Sequence, residues 1–94
     1  MKWVEIIELR AVENNQELLE SQLQQLIHQV DKEANTPAIK TYHRVMLDTD
    51  VSIHLVHDST TVERNGSPLG LRLASSLKEF GLVNHSLWVE MYNT

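Results

Sequence analysis

Residues 65–91, NGSPLGLRLASSLKEFGLVNHSLWVEM, hold a turn, a capped helix, a helix stop and a strand in immediate succession. Asn65-Gly66 supplies the turn, and the Ser67 hydroxyl can accept from the first free N–H groups of a helix. Pro68 fits the first helical position, where its missing N–H costs little. Leu69, Leu73, Leu77 and Phe80 recur at helical spacing, and Gly81 suits a left-handed stop. His85 to Met91 then alternates as a strand does. A helix leading straight into a strand is an architectural unit, and the chain upstream can be read against it.

Moving outward, residues 58–66, DSTTVERNG, form the longest connection. Before it, residues 51–57, VSIHLVH, set Val51, Ile53, Leu55 and His57 on one face and Ser52, His54, Val56 on the other, followed by Asp58. Residues 38–47, AIKTYHRVML, have the β-branched and aromatic content of a partner strand, and Asp48-Thr49-Asp50 reads as the tight turn between the two. Asn35-Thr36-Pro37 ends a helix that runs from an Asn14 or Asn15 cap to about Ala34. Its stripe is Leu19, Leu23, Leu26, Ile27 and Val30, widened by Leu18. Residues 2–12, KWVEIIELRAV, form the first strand, with Trp3, Glu5, Ile7 and Leu9 on one face and Val4, Ile6, Glu8 and Arg10 on the other. Both faces mix apolar and charged residues, as a central strand would.

The order strand, helix, strand, strand, helix, strand in one domain, residues 1–94, is the ferredoxin-like arrangement. It is an α+β fold, a four-stranded antiparallel sheet with both helices on one face, because crossovers are right-handed. The first and third strands are central.

Ninety-four residues with 41% hydrophobic and 22% charged content suit a single globular domain with a modest core. The net charge of −5 and eight scattered Lys and Arg argue against nucleic acid as a partner. There is no cysteine, which removes disulfides, thiolate metal sites and cysteine nucleophiles. The acidic N-terminal stretch does not read as a signal peptide, and no apolar run is long enough to cross a bilayer. The expected location is cytoplasmic, with no membrane partner.

One face of the sheet is left for water, a ligand or another chain. The residues alternating toward it are Ser86, Trp88, Glu90 and Tyr92, then Ser52, His54 and Val56, with Tyr42, Arg44 and Met46. This set is too apolar for a solvated face and too polar for a dry core. A semi-polar cavity closed by a second copy suits it, so a homodimer through this face is expected. The element order, the length, the hydrophobic third strand leading into a helix and the Trp-bearing last strand resemble the dimeric α+β barrel superfamily. Within it, the nearest likeness is to small antibiotic-biosynthesis-monooxygenase-like proteins. The resemblance implies two sheets facing each other around a barrel. Members oxidise polyphenolic substrates without metal or flavin, degrade haem, or have no assigned activity. The family's acidic, Trp-containing stretch after the third strand is replaced here by Val56-His57-Asp58-Ser59-Thr60.

Candidate chemistry follows from this face. His54 is a base suited to proton transfer near neutrality, Arg44 a fixed charge for a carboxylate or enolate, and Trp88, Tyr42 and Tyr92 are rings on which a substrate can stack, with Glu90 beside them. The plainer alternative has His54 half-exposed or hydrogen-bonded across the dimer, and Arg44 paired with Glu90. His54 and His57 point to opposite faces and cannot share an ion, and His43 and His85 complete no recognised metal spacing, so no metal and no cofactor are expected. His57-Asp58-Ser59 is not a triad, because adjacent residues cannot orient one another. Asp48 and Asp50 read as turn chemistry. Gly66 to Gly70 offers a helix N-terminus to an anion but has no phosphate-loop lysine.

The functional expectation is binding, or cofactor-independent oxidation or rearrangement, of a small aromatic or enolisable molecule in a cavity lined by His54 and Trp88. A regulatory module of the amino-acid-sensing kind would instead use a site near Val12–Gln16. An assembly module would fill the sheet interface with side chains.

Overall fold

A computed structural model describes residues 2–11, 16–30 and 37–91. The elements are β1 (Lys2–Ala11), α1 (Gln16–Val30), β2 (Ala38–Arg44), β3 (Leu47–Asp58), α2 (Pro68–Leu77) and β4 (Gly81–Val89). They form one sheet in the order β2-β3-β1-β4. Every neighbouring pair is antiparallel, and β1 and β3 are the central strands.

Register fixes which side chains share a face. Ile7 stands between Ile53 and His85, and Leu9 between Val51 and Val83. This face carries the core, in which Ile7, Leu9, Val51, Ile53 and Leu55 meet Leu73, Ala74, Leu77 and Phe80 from the second helical unit. Leu19 and Leu23 of α1 complete it. Each such Leu or Ile contributes roughly 1.5–3 kcal/mol by leaving water. Leu18 does not widen the α1 stripe; it is 59% exposed. Among the described residues no helix is long and apolar enough to cross a membrane.

Three boundaries differ from the sequence reading. The hairpin turns at Val45 and Met46, since Arg44 pairs directly with Leu47. Met46 takes a positive φ of 69°, a conformation that composition does not signal in a methionine. Asp50 is therefore inside β3 and not in a turn. At the other end, β4 begins at Gly81, four residues before the alternation becomes legible. Gly81 is not a left-handed stop. Its missing Cβ lets β1 approach, because a Cβ there would sit 2.0 Å from the Arg10 carbonyl oxygen. The turn at Asn65-Gly66 stands as read, with Gly66 at φ 100°.

Candidate functional site

The sheet face opposite the two described helices is built by cross-strand rows. Val4 lies between Val56 and Trp88, Ile6 between His54 and Ser86, Tyr42 opposite Ser52, and Arg10 opposite Asp50. Residues directly opposite share a face, so the expected face residues of β3 and β4 do lie together. Tyr42 and Trp88 are 47% and 58% exposed.

At one end, the Tyr42 ring lies 4.7 Å from the His54 ring at an interplanar angle of 56°. His54 Nε2 shares a hydrogen bond of 2.9 Å with Ser52 Oγ. Arg44 pairs with Asp50 (Nε to Oδ2, 3.1 Å), and Arg10 approaches the same oxygen at 3.9 Å. The alternative pairing of Arg44 with Glu90 is therefore not formed. Glu90 lies at the far end, where its N–H donates to the Lys2 carbonyl. A cavity of about 230 Å³ opens at the arginine end, between Tyr42, Arg44, Asp50, Ser52, Arg10 and Glu8.

Trp88 belongs to that other end. Its Nε1 donates to Ser86 Oγ at 2.9 Å, and it lines a second cavity of about 230 Å³ with Trp3, Val4, Val56 and Val89. Lys2 and Glu90 also line this cavity. His54 and Trp88 are two strands and two residues apart, roughly 12 Å by strand spacing and rise. The structure thus unites His54 with Tyr42 and sets Trp88 apart from both. Tyr92 lies outside the described residues, as does most of the Val12–Gln16 segment.

The other side of the sheet carries a cluster that was not anticipated as a unit. Glu5 points into the helix-covered face and is 0% exposed. Its Oε2 accepts from Ser67 Oγ (2.5 Å) and His57 Nε2 (2.6 Å). Its Oε1 accepts from the Ser67 N–H and His85 Nε2, both at 2.9 Å. Four donors fill the four lone-pair directions of one carboxylate. Burial pushes the Glu5 pKa up, but the bonds from the Ser67 hydroxyl, His57, the Ser67 N–H and His85 outweigh it and hold the group below its ordinary range. Since Glu5 is ionised and accepts only, both rings carry a proton on Nε2.

Backbone choices make room for this carboxylate. A Cβ on Gly70 would lie 2.1 Å from Glu5 Oε1, and one on Gly66 would lie 2.5 Å from His85 Cε1. Ser67 caps α2 by accepting from the Gly70 N–H at 3.0 Å while its own proton goes to Glu5. The helix N-terminus does meet an anion, and that anion is the chain's own side chain. Trp3, 3% exposed, stacks on His57 at 4.0 Å and 13°, and its Nε1 donates to Ser59 Oγ. A signal existed: Glu5, His57 and His85 each interrupt the apolar face of three adjacent strands. Among the described residues no group of three His, Cys, Asp or Glu side chains is arranged to hold a metal ion.

No family model matches the chain, and no curated protein matches it in sequence. Solved structures do match. Rv0793 from Mycobacterium tuberculosis aligns over 99% of this chain and 98% of its own, with a TM-score of 0.72 at 14% identity. A mutant of SnoaB, a cofactor-independent oxygenase from Streptomyces nogalater, aligns over 98% of this chain and 95% of its own, with a TM-score of 0.72 at 13% identity. At such identities the likeness is one of fold: both structures share this chain's ferredoxin-like arrangement of a four-stranded antiparallel sheet and two helices.

Proposed function

We propose that two copies of this chain pack open sheet face to open sheet face and enclose a small aromatic or enolisable molecule at the Tyr42–His54 end. The observation that carries this reading is the pairing of an exposed aromatic ring with a hydrogen-bonded imidazole, Tyr42 on His54, on the sheet face opposite the two described helices. His54 is the base that takes the proton of a phenol or enol. Arg44, gripped at Nε by Asp50, still has terminal N–H groups to offer the resulting oxyanion. Such an anion either reacts with dioxygen or ketonises, so oxygenation and isomerisation share this first step. The fold shared with a cofactor-independent oxygenase supports the oxygenase branch. Trp88 and Glu90 belong, on this reading, to the outer part of the same face, and Tyr92 is a further proposed substrate contact. The separation of Trp88 from His54 favours a second reading for that end, in which Trp88 serves dimer packing only.

A crystal structure of the protein soaked with 1-naphthol tests the proposal. Density for the ring beside Tyr42 and His54, beneath a second copy, is expected. Light scattering should give twice the chain mass, and His54→Gln should abolish oxygen uptake or proton exchange while leaving the dimer intact. A monomer with His54 and Trp88 open to solvent would refute it.

A further inference from the structure

The segment 59–67 runs across the helix side of the sheet and is tied at both ends. Trp3 Nε1 holds Ser59 Oγ at 2.9 Å, and Glu5 holds Ser67 through two bonds. Between the ties, residues 60 and 61 and 63–65 are exposed, and Gly66 is buried against His85. We propose that this segment is a strap closed by the Glu5 carboxylate and released when that carboxylate takes up a proton.

Geometry carries the inference. Every bond Glu5 makes is one it accepts, and two of the four come from the strap. Protonation replaces an acceptor with a donor in the midst of four donors, so at least one of those bonds is lost. It also removes the negative charge that faces the two imidazoles. The titratable groups facing Glu5 are His57 from β3 and His85 from β4. The strap contributes Ser67 alone, and α2 presents Gly70, which brings no side chain. Release bares Glu5, His57 and His85 between strap and sheet. Buried ionic groups are poor contributors to net stability compared with apolar ones, so a cluster built at the cost of two glycines and four donors is better suited to switching than to holding the fold together.

Hydrogen exchange read by mass spectrometry between neutral and acidic pH tests this, comparing strap amides with core amides of β1, β3 and β4 in the same sample. The expected result is that amides from Ser59 to Leu71 lose protection at a higher pH than the core does. Ser67→Ala, which removes one donor and keeps the backbone N–H, should move that midpoint further toward neutrality. A role in helix capping alone would lower α2 protection by the same factor at every pH, without moving the midpoint. Glu5→Gln should leave the strap open at neutral pH; if that variant does not fold, Ser67→Ala decides. Simultaneous loss of strap and core protection in the wild type, or an unmoved midpoint in Ser67→Ala, overturns the proposal.

Discussion

Glu5 occupies a position where the alternation of β1, with Trp3, Ile7 and Leu9 as its companions, asks for an apolar side chain. A carboxylate survives there because each oxygen receives two hydrogen bonds. Glu5→Gln keeps the shape, removes the charge and brings an N–H₂ donor against four others. Breaking a buried ionic network of this kind costs about 3–5 kcal/mol, and urea unfolding at pH 7 should show a loss in that range. The pH dependence has a fixed sign. The folded pKa lies below the ordinary value of 4.5, so the contribution is present above that value and disappears as pH falls through the depressed one. The gap between wild type and Glu5→Gln should therefore close as pH falls through that depressed value. What could be read at this scale was which face each residue takes. His57 and His85 fell with the core residues of β3 and β4, and Glu5 with those of β1. Their meeting could not be read, because it depends on registers that join residues 52 and 80 positions apart.

At the scale of elements, α2 offers a reversal of an ordinary rule. Replacing glycine by alanine within a helix normally stabilises by about 0.5–1 kcal/mol. Gly70→Ala should instead destabilise by roughly 1–3 kcal/mol, as overpacking does, because the new methyl falls on the Glu5 carboxylate. Thermal melts of Gly70→Ala and of the double variant Gly70→Ala/Glu5→Ala separate the two effects: the penalty should shrink sharply when the carboxylate is gone. Gly81→Ala should cost at least as much, since its Cβ meets the Arg10 carbonyl, which cannot move without breaking the β1–β4 ladder. The existence and order of all six elements were legible from periodicity, from the Ser67 cap and from Pro68. Strand ends were not. The hairpin turn rests on a methionine in an uncommon backbone conformation, and Gly81 serves close approach where its sequence position suggests a helix stop.

At the scale of the whole molecule, the two tryptophans report on different surroundings. Trp3 is buried, stacked on His57 and bonded to Ser59, and Trp88 is exposed on the open face. In a dilute, dissociated sample, iodide should quench Trp88 and spare Trp3. If the open faces pair, Trp88 should become protected as concentration rises, and Trp88→Glu should hold the protein as a monomer with its circular dichroism unchanged. The open face was legible as a semi-polar surface, but its division into a Tyr42–His54 end and a Trp88 end was not, because alternation gives the face of a residue and not its position across four strands.

The turn at Asn65-Gly66 also sets how this protein should age. Asparagine followed by glycine loses ammonia when the glycine nitrogen attacks the side-chain carbonyl, and water then opens the ring to aspartate or isoaspartate. Here the Gly66 N–H is held by the Glu63 carbonyl at 3.0 Å, and Gly66 is buried. Ring closure must wait until that bond breaks. Peptide mapping of stored protein should therefore find Asn65 converted far more slowly than in the free peptide, and faster in Ser67→Ala, so that slow chemical damage keeps a record of how often the strap has been open.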